Sequence, residues 1–238
     1  MTDGKITYTS GGRSFVGTLV APTDAGVQAA VVLLPDWRGQ SALALDHADH
    51  LAGLGCTVAI ADLYGDGFNP DSPDQVGSMV GHLLEHREEG VAALAACVAE
   101  LRGKLPTGTS VFCLGYSAGG MVALDYGRSG GDISGIILCS ALLKTAAEGM
   151  ATRVKAPVLI VQGTQDQVSP IEVIDAVIAE MDAAENDVRF VLFSQTHHAF
   201  DNPEAGTDPT ARLCHSPRSA ARARDAIAQF VTEISGSD

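Results

Sequence analysis

The sequence predicts an α/β protein with a mostly parallel central sheet, helices on both faces of the sheet and an antiparallel hairpin at the N-terminus. Two observations lead to this class. Strand-like runs alternate with helical stretches along most of the chain, and these runs are apolar throughout, as in strands covered on both faces. With 238 residues and 46% hydrophobic positions, the chain can bury a sizeable core and does not demand two domains. We therefore expect one domain over residues 1–238.

The elements follow in order along the chain. ITYTS and RSFVGTLV are β-rich and flank Gly11-Gly12, a pair that permits the positive φ angles of a tight turn. Apolar strands then follow at 29–35, 57–62, 110–115, 134–140, 157–163 and 188–193, with helices near 42–54, within 75–103, from 118, near 170–184 and within 216–235. Ligands of an open α/β sheet bind beyond the carboxyl ends of the strands, so functional residues are expected there.

The charge balance and the cysteines limit the partners and the compartment. Asp and Glu number 29 against 15 Lys and Arg, a net charge of −14, which repels nucleic acids and anionic membranes. The five cysteines are odd in number and form no CxxC pair, as expected of free thiols in a reducing compartment. The start resembles no signal peptide, and no apolar run approaches the roughly 18 residues of a membrane span. We expect a soluble, cytoplasmic protein without a cofactor, as a monomer or small homo-oligomer.

The segment GYSAGG at residues 115–120 matches the G-x-S-x-G pattern directly between a predicted strand and a predicted helix. A serine on so sharp a turn requires residues without a Cβ two positions before and after it, and Gly115 and Gly119 meet this demand. The turn would expose the Ser117 hydroxyl, and the Ala118 amide at the helix start would be a donor to an oxyanion. A dinucleotide-binding turn is disfavoured because Ser117 stands where G-x-G-x-x-G needs its second glycine.

A serine nucleophile needs a histidine to accept its proton and a carboxylate to orient that histidine. Asp166 follows the strand PVLIVQG, and His197 and His198 follow the strand VRFVLF. All three lie at carboxyl ends of predicted strands and in the order serine, acid, histidine. Periodicity does not decide between the two adjacent histidines.

A second motif, HLLEH at residues 82–86, matches the H-x-x-E-H pattern of some zinc hydrolases. On a helix of 100° per residue, Glu85 points away from the apolar stripe and both histidines flank it. No third ligand is identifiable, so we interpret this as a solvated helix face and expect no metal site. We extend the solvated interpretation to all histidines other than His197 and His198, which are His47, His50, His82, His86 and His215.

With the nucleophile elbow formed by residues 115–120, Asp166 and the tripeptide His198-Ala199-Phe200, the chain resembles the dienelactone hydrolase family of α/β-hydrolases. The resemblance covers almost the whole chain and includes LLPDWRG at 33–39, DLY at 62–64 and the amphipathic C-terminal helix. In that family the catalytic histidine precedes a small residue and an aromatic one, which selects His198. The resemblance also implies the α/β-hydrolase fold and the Trp37 backbone amide as a second oxyanion donor opposite Ala118.

The expected pocket residues are Asp36, Trp37, Tyr64, Tyr116 and Phe200, although Trp37 could equally be a core residue. Three departures from the family matter: Ser117 replaces its cysteine nucleophile, Asp36 stands where it has Glu, and Asn202 stands where an arginine grips the substrate carboxylate. Spacing does not assign Arg87 to the family's second arginine. Without a paired arginine an anionic substrate would be desolvated without a bidentate partner, so neutral substrates are expected.

Together these residues predict a serine hydrolase of small carboxylic esters or lactones that works through an acyl-enzyme, with Ser117, His198 and Asp166 as nucleophile, base and orienting acid. Two alternatives stay open. The same elbow could attack a thioester, an amide or an activated phosphoester, or the chain could be a non-catalytic binding protein of the same fold. Covalent labelling by a fluorophosphonate discriminates the binding protein from the enzymes.

Overall fold

A computed structural model describes residues 2–22 and 28–236. Its strands are β1 (Thr2–Ser10), β2 (Arg13–Val20), β3 (Ala30–Leu34), β4 (Thr57–Ile60), β5 (Val111–Ser117), β6 (Gly135–Ala141), β7 (Val158–Gly163) and β8 (Val188–Phe193). Its α-helices are α1 (Ala42–Gly53), α2 (Pro73–Glu85), α3 (Arg87–Arg102), α4 (Ala118–Arg128), α5 (Ile171–Ala183) and α6 (Pro217–Ser235), and a 3₁₀ turn covers Pro203–Ala205. The predicted class and hairpin are confirmed.

All eight strands form one sheet in the order β1-β2-β4-β3-β5-β6-β7-β8. β2 pairs antiparallel with both β1 and β4, and the six strands from β4 to β8 in this order are parallel to one another. Gly11 and Gly12 turn the hairpin with φ angles of 57° and 78°, as a two-residue turn requires. The carboxyl ends of β5, β7 and β8 therefore meet at one edge of the sheet.

The sheet separates two apolar clusters. Alternate residues of a strand point to opposite faces, so Val111 and Cys113 of β5 pack with α3, α4 and α5, whereas Phe112 and Leu114 pack with α1 and α6. Burial on both faces explains why these strands are apolar throughout. The elements that carry the carboxyl-end loops are thus held between two packed layers.

One helix prediction is wrong in its extent, because the long helix expected within 75–103 consists of two. His86 has φ −123° and ψ 55°, which is outside the helical region, so α2 ends before it and α3 begins after it. Helix α3 buries one face, including Leu94, Val98 and Leu101, against the sheet and α4. Helix α2 is mostly exposed and buries Leu83. The break at His86 separates the exposed helix from the packed one.

Among the described residues, no helix combines the length and the apolar character needed to cross a membrane.

Candidate active site

Ser117 lies at the junction of β5 and α4 in a strained backbone conformation, with φ 46° and ψ −119°. A non-glycine residue there is uncommon and costs of order 1–3 kcal/mol. The flanking glycines allow the turn because the backbone approaches them closely. A Cβ on Gly115 would lie 2.5 Å from the Gly119 carbonyl oxygen, and one on Gly119 would lie 2.4 Å from the Leu34 carbonyl oxygen. The expected need for glycine at both positions follows from these distances.

The structure brings the predicted nucleophile, base and acid into one hydrogen-bonded chain. Ser117 Oγ lies 3.0 Å from His198 Nε2, and His198 Nδ1 lies 2.7 Å from Asp166 Oδ2. His198 and Asp166 are buried, whereas Ser117 is partly accessible. A carboxylate at Nδ1 favours the tautomer whose proton is on that nitrogen, which leaves Nε2 free to accept a proton from the serine hydroxyl.

Asp166 is held by four hydrogen bonds. Its Oδ1 accepts the backbone N–H groups of Val168 and Ser169 at 2.7 and 2.9 Å, and its Oδ2 accepts the Gln162 side-chain amide at 2.7 Å besides the contact with His198. Gln162 is fully buried on β7 and was missed in the sequence analysis. The sequence feature that could have indicated Gln162 is its position as a polar side chain inside the apolar run PVLIVQG.

A small cavity of about 30 Å³ opens beside Ser117 and His198. Three of the expected pocket residues, Asp36, Trp37 and Tyr116, line it. Burial raises the pKa of the Tyr116 hydroxyl well above its usual range, so the phenol stays neutral. The other lining residues are Ser140, Ala199, Asp201, Asn202 and Leu213.

Asp36 is bound to Arg38. Arg38 Nη2 and Nε lie 2.6 and 3.1 Å from Asp36 Oδ2, and Nη1 lies 2.7 Å from Glu204 Oε2. Burial lowers the pKa of the guanidinium, but its hydrogen bonds and charge interaction with Asp36 outweigh this effect and leave the pKa raised. Arg38 also stacks over the Trp37 ring at 5.6 Å. The cation beside the cavity is therefore neutralised by two carboxylates.

The structure places Tyr64 and Phe200 away from this cavity. Tyr64 lines a separate cleft of about 480 Å³ between the β1–β2 hairpin and helices α2 and α3. Its hydroxyl donates to the Trp37 carbonyl at 2.8 Å, and burial, with the nearby Asp36 charge, raises its pKa. Phe200 is fully buried and packs edge-to-face against Phe193. Tyr64 contacts the loop of Trp37, and Phe200 belongs to the core.

The solvated interpretation is wrong for His47. This residue is 5% exposed, stacks on Tyr116 and lies 3.0 Å from Asp201 through its Nε2. Burial also lowers the pKa of His50. The cause is helix α1, whose inner face covers the sheet and takes both side chains at least partly out of water.

The histidines of HLLEH lie at the protein surface, His82 on α2 and His86 between α2 and α3. His82 and His86 have side chains about half exposed, and His82 Nε2 bonds Glu89 at 3.0 Å. Within residues 2–22 and 28–236, no group of three or more His, Cys, Asp and Glu side chains is arranged to hold a metal ion.

The chain matches the family model of the dienelactone hydrolase family over residues 15–235. It belongs to the dienelactone hydrolase family. Membership in this family makes the chain a hydrolase, and it agrees with the elbow and the strand order described above.

Solved structures of the same fold resemble almost the full length of the chain. A structure described as m3DLH has 29% identity and a TM-score of 0.89, with 97% of each chain covered. A dienelactone hydrolase-like promiscuous phosphotriesterase, P91, from metagenomic libraries has 23% identity, a TM-score of 0.87 and 97% coverage of each. Thermogutta terrifontis esterase 2, phosphonylated by cyclosarin, has 19% identity, a TM-score of 0.66 and coverage of 97% of this chain and 94% of its own. Among curated protein sequences, no significant match is found.

Proposed function

We propose that this member of the dienelactone hydrolase family is a serine hydrolase of small, neutral carboxylic esters or lactones. The observation that carries the proposal is the hydrogen-bonded chain from Ser117 Oγ through His198 to Asp166, with distances of 3.0 and 2.7 Å. A serine paired with a histidine and a buried, fully bonded carboxylate is the arrangement that activates a hydroxyl as nucleophile.

In the proposed reaction His198 Nε2 takes the hydroxyl proton while Ser117 Oγ attacks the ester carbonyl. The C–O bond to the alcohol then breaks, the alcohol leaves with the proton from His198, and an acyl-serine remains. A water molecule, deprotonated by the same nitrogen, attacks the acyl-serine, and the acid leaves as Ser117 recovers its proton. Asp166 keeps its negative charge throughout and stabilises the imidazolium that forms twice in the cycle.

We assign the oxyanion to the backbone amides of Ala118 and Trp37. Ala118 is the first residue of α4, where free N–H groups and the helix dipole favour a negative charge. The loop that carries Trp37 is held on both sides, since Tyr64 donates to its carbonyl and Asp36 accepts the backbone N–H of Arg38 at 2.9 Å. Fixed donors of this kind typically contribute 10²- to 10³-fold to the rate.

The charges around the cavity support a neutral substrate. Asp36 and Asp201 line it, and Arg38 is occupied by Asp36 and Glu204. Arg87 is bound through both Nε and Nη2 to the buried Asp125, at 2.6 and 2.7 Å. A substrate carboxylate at this cavity would therefore lie beside two acidic side chains. Neither Arg38 nor Arg87 would be free to bind it, because both are already paired with carboxylates. The cavity beside Ser117 is small, about 30 Å³, which supports a small acyl group.

Covalent labelling tests the nucleophile and separates this proposal from a non-catalytic binding protein. An alkyl fluorophosphonate should add one phosphonyl group to Ser117 of the folded protein, located by mass spectrometry of peptides, because only an activated serine attacks phosphorus quickly. Ser129, an exposed serine after α4, should stay unlabelled. An unlabelled Ser117 in folded protein would favour the binding protein.

A further inference from the structure

A second buried pair of histidine and aspartate lies beside the candidate site. His47 Nε2 on α1 is 3.0 Å from Asp201 Oδ2, in the loop that follows His198. The two side chains are only 4% and 10% exposed. Asp201 lines the cavity, but neither residue takes part in the proton transfers proposed above, so the cost of burying the two titratable groups as a pair calls for another explanation.

The same histidine also contacts the elbow. Its ring is parallel to that of Tyr116, with centroids 4.2 Å apart and an angle of 3° between the planes. Tyr116 immediately precedes Ser117 and is 5% exposed. One side chain on α1 is thus bonded to the loop of the base and packed against the turn of the nucleophile.

The loop of the base is strained and depends on its surroundings. Ala199 has a φ angle of 58°, which is unfavourable for alanine and persists only where neighbours enforce it. On one side the backbone of this loop is held by Ser140, whose Oγ accepts the Ala199 N–H at 2.8 Å, and by Cys214, which donates to the His198 carbonyl at 3.1 Å. The bond between Asp201 and His47 is the connection to α1.

We propose that His47 is a positioning residue for the hydrolysis. By binding Asp201 and stacking on Tyr116, it holds the His198 loop and the Ser117 elbow at the distance that proton transfer between them requires. The inference rests on the proposed function. A reaction that transfers a proton over the 3.0 Å from Ser117 Oγ to His198 Nε2 is sensitive to displacement, and a shift of about 1 Å costs on the order of 100-fold in rate.

Four single variants and the double variant His47→Phe/Asp201→Leu separate the contributions of His47. His47→Phe keeps a ring on Tyr116 and removes the hydrogen bond, and Asp201→Leu removes the same bond from the other end. His47→Gln can still donate an amide N–H to Asp201. His82→Phe is the matched control, because His82 is an exposed histidine on α2.

The readout is the rate of Ser117 labelling by an alkyl fluorophosphonate, with the folded fraction of each variant followed by circular dichroism. We expect His47→Phe and Asp201→Leu each to label about 10- to 100-fold more slowly. The double variant should lose little more than either single one, because both remove the same bond. His47→Gln should recover much of the rate, and His82→Phe should match the parent. Ester hydrolysis should lose kcat with little change in KM.

The outcomes distinguish the two proposals. If the parent is labelled and both single variants label at the parent rate, the positioning role is wrong and the serine hydrolase stands. The same conclusion follows if the losses simply multiply in the double variant. Should His47→Phe fail to fold, Asp201→Leu and His47→Gln carry the comparison alone, with loss in the first and recovery in the second. A parent that is not labelled overturns both proposals.

Discussion

Gln162 donates its side-chain amide to Asp166, with 2.7 Å between Nε2 and Oδ2. The same amide donates to the Ala141 carbonyl at 3.1 Å, and its oxygen accepts the Ala141 N–H at 3.0 Å. Gln162 therefore connects the acid of the site to the end of the neighbouring strand β6. Because it is fully buried, it cannot exchange these partners for water.

This contact predicts that Gln162→Met lowers activity and stability together. The variant keeps the volume but leaves the Ala141 N–H unpaired, at about 1–3 kcal/mol for a buried polar group, and removes one hydrogen bond to Asp166. The Ala141 carbonyl still accepts from Ser169 Oγ at 2.9 Å. We expect kcat to fall by roughly 10-fold or more and the free energy of unfolding in urea to fall by about 2 kcal/mol. Gln229→Met, at an exposed position of α6, should change neither, and equal kcat in both variants would contradict the positioning of Asp166 by Gln162.

Replacement of glycine by alanine should have opposite effects on stability at Gly119, in the elbow, and at Gly77, on α2. Gly119→Ala would bring a Cβ to 2.4 Å from the Leu34 carbonyl and 2.5 Å from that of Pro35. Both neighbours are backbone, so the turn must move, and we expect destabilisation of about 3 kcal/mol with loss of activity. Gly77→Ala on the exposed helix α2 meets no atom within 4 Å and should stabilise the protein by about 0.5–1 kcal/mol. Denaturant unfolding checks both, and an equally stable Gly119→Ala protein would contradict the described turn.

The cysteines predict a slow reaction with thiol reagents. Burial raises the pKa of Cys56 to about 11 and that of Cys97 to about 12, and it raises those of Cys113 and Cys139 further. The thiolate is the reactive form, so at pH 8 these four groups are protonated as well as inaccessible. Ellman's reagent should leave them unmodified in native protein and titrate all five cysteines in urea. Rapid native modification of Cys97 would show that its helix opens far more readily than its packing implies.

The paired cations predict a preference for neutral substrates. p-Nitrophenyl acetate should be hydrolysed with a kcat/KM at least about 10-fold higher than the p-nitrophenyl monoester of succinate, a difference of about 1.4 kcal/mol. Added salt should reduce this difference in kcat/KM only in part. Salt screens the net charge of −14 but not the acidic side chains at the cavity wall. Longer neutral acyl chains should react more slowly than acetate. A clear preference for the succinate monoester, or for a carboxylate-bearing lactone, would contradict the assignment.

The sequence predicted the parts of the site that local patterns determine. Gly115, Ser117 and Gly119 could be placed because a sharp turn between strand and helix restricts which residues fit. Asp166 and the two histidines could be placed because parallel strands end at one edge of the sheet. The hairpin and the order of strands and helices followed from hydrophobic periodicity. The exception is the break between two helices at His86, where no proline or glycine marks the end of the first helix.

Side-chain partners across the fold could not be predicted in this way. The local sequence indicated neither the bond of Asp36 to Arg38 nor the burial of His47 and Phe200. Adjacent residues of a loop point in different directions, and which of them is buried depends on the elements that pack over the loop. Gln162 was overlooked for the same reason, since one polar residue in a buried strand has meaning only beside its partner.

The central claim is that Ser117 is the nucleophile of an ester hydrolase, and one comparison of rates tests it most directly. The hydrolysis of p-nitrophenyl acetate is measured with the parent protein and with Ser117→Ala under identical conditions, after circular dichroism has established that both are folded. We expect turnover by the parent and a fall of at least about 10³-fold, to near background, in the variant. Equal turnover by the two proteins, or none by the folded parent, would contradict it.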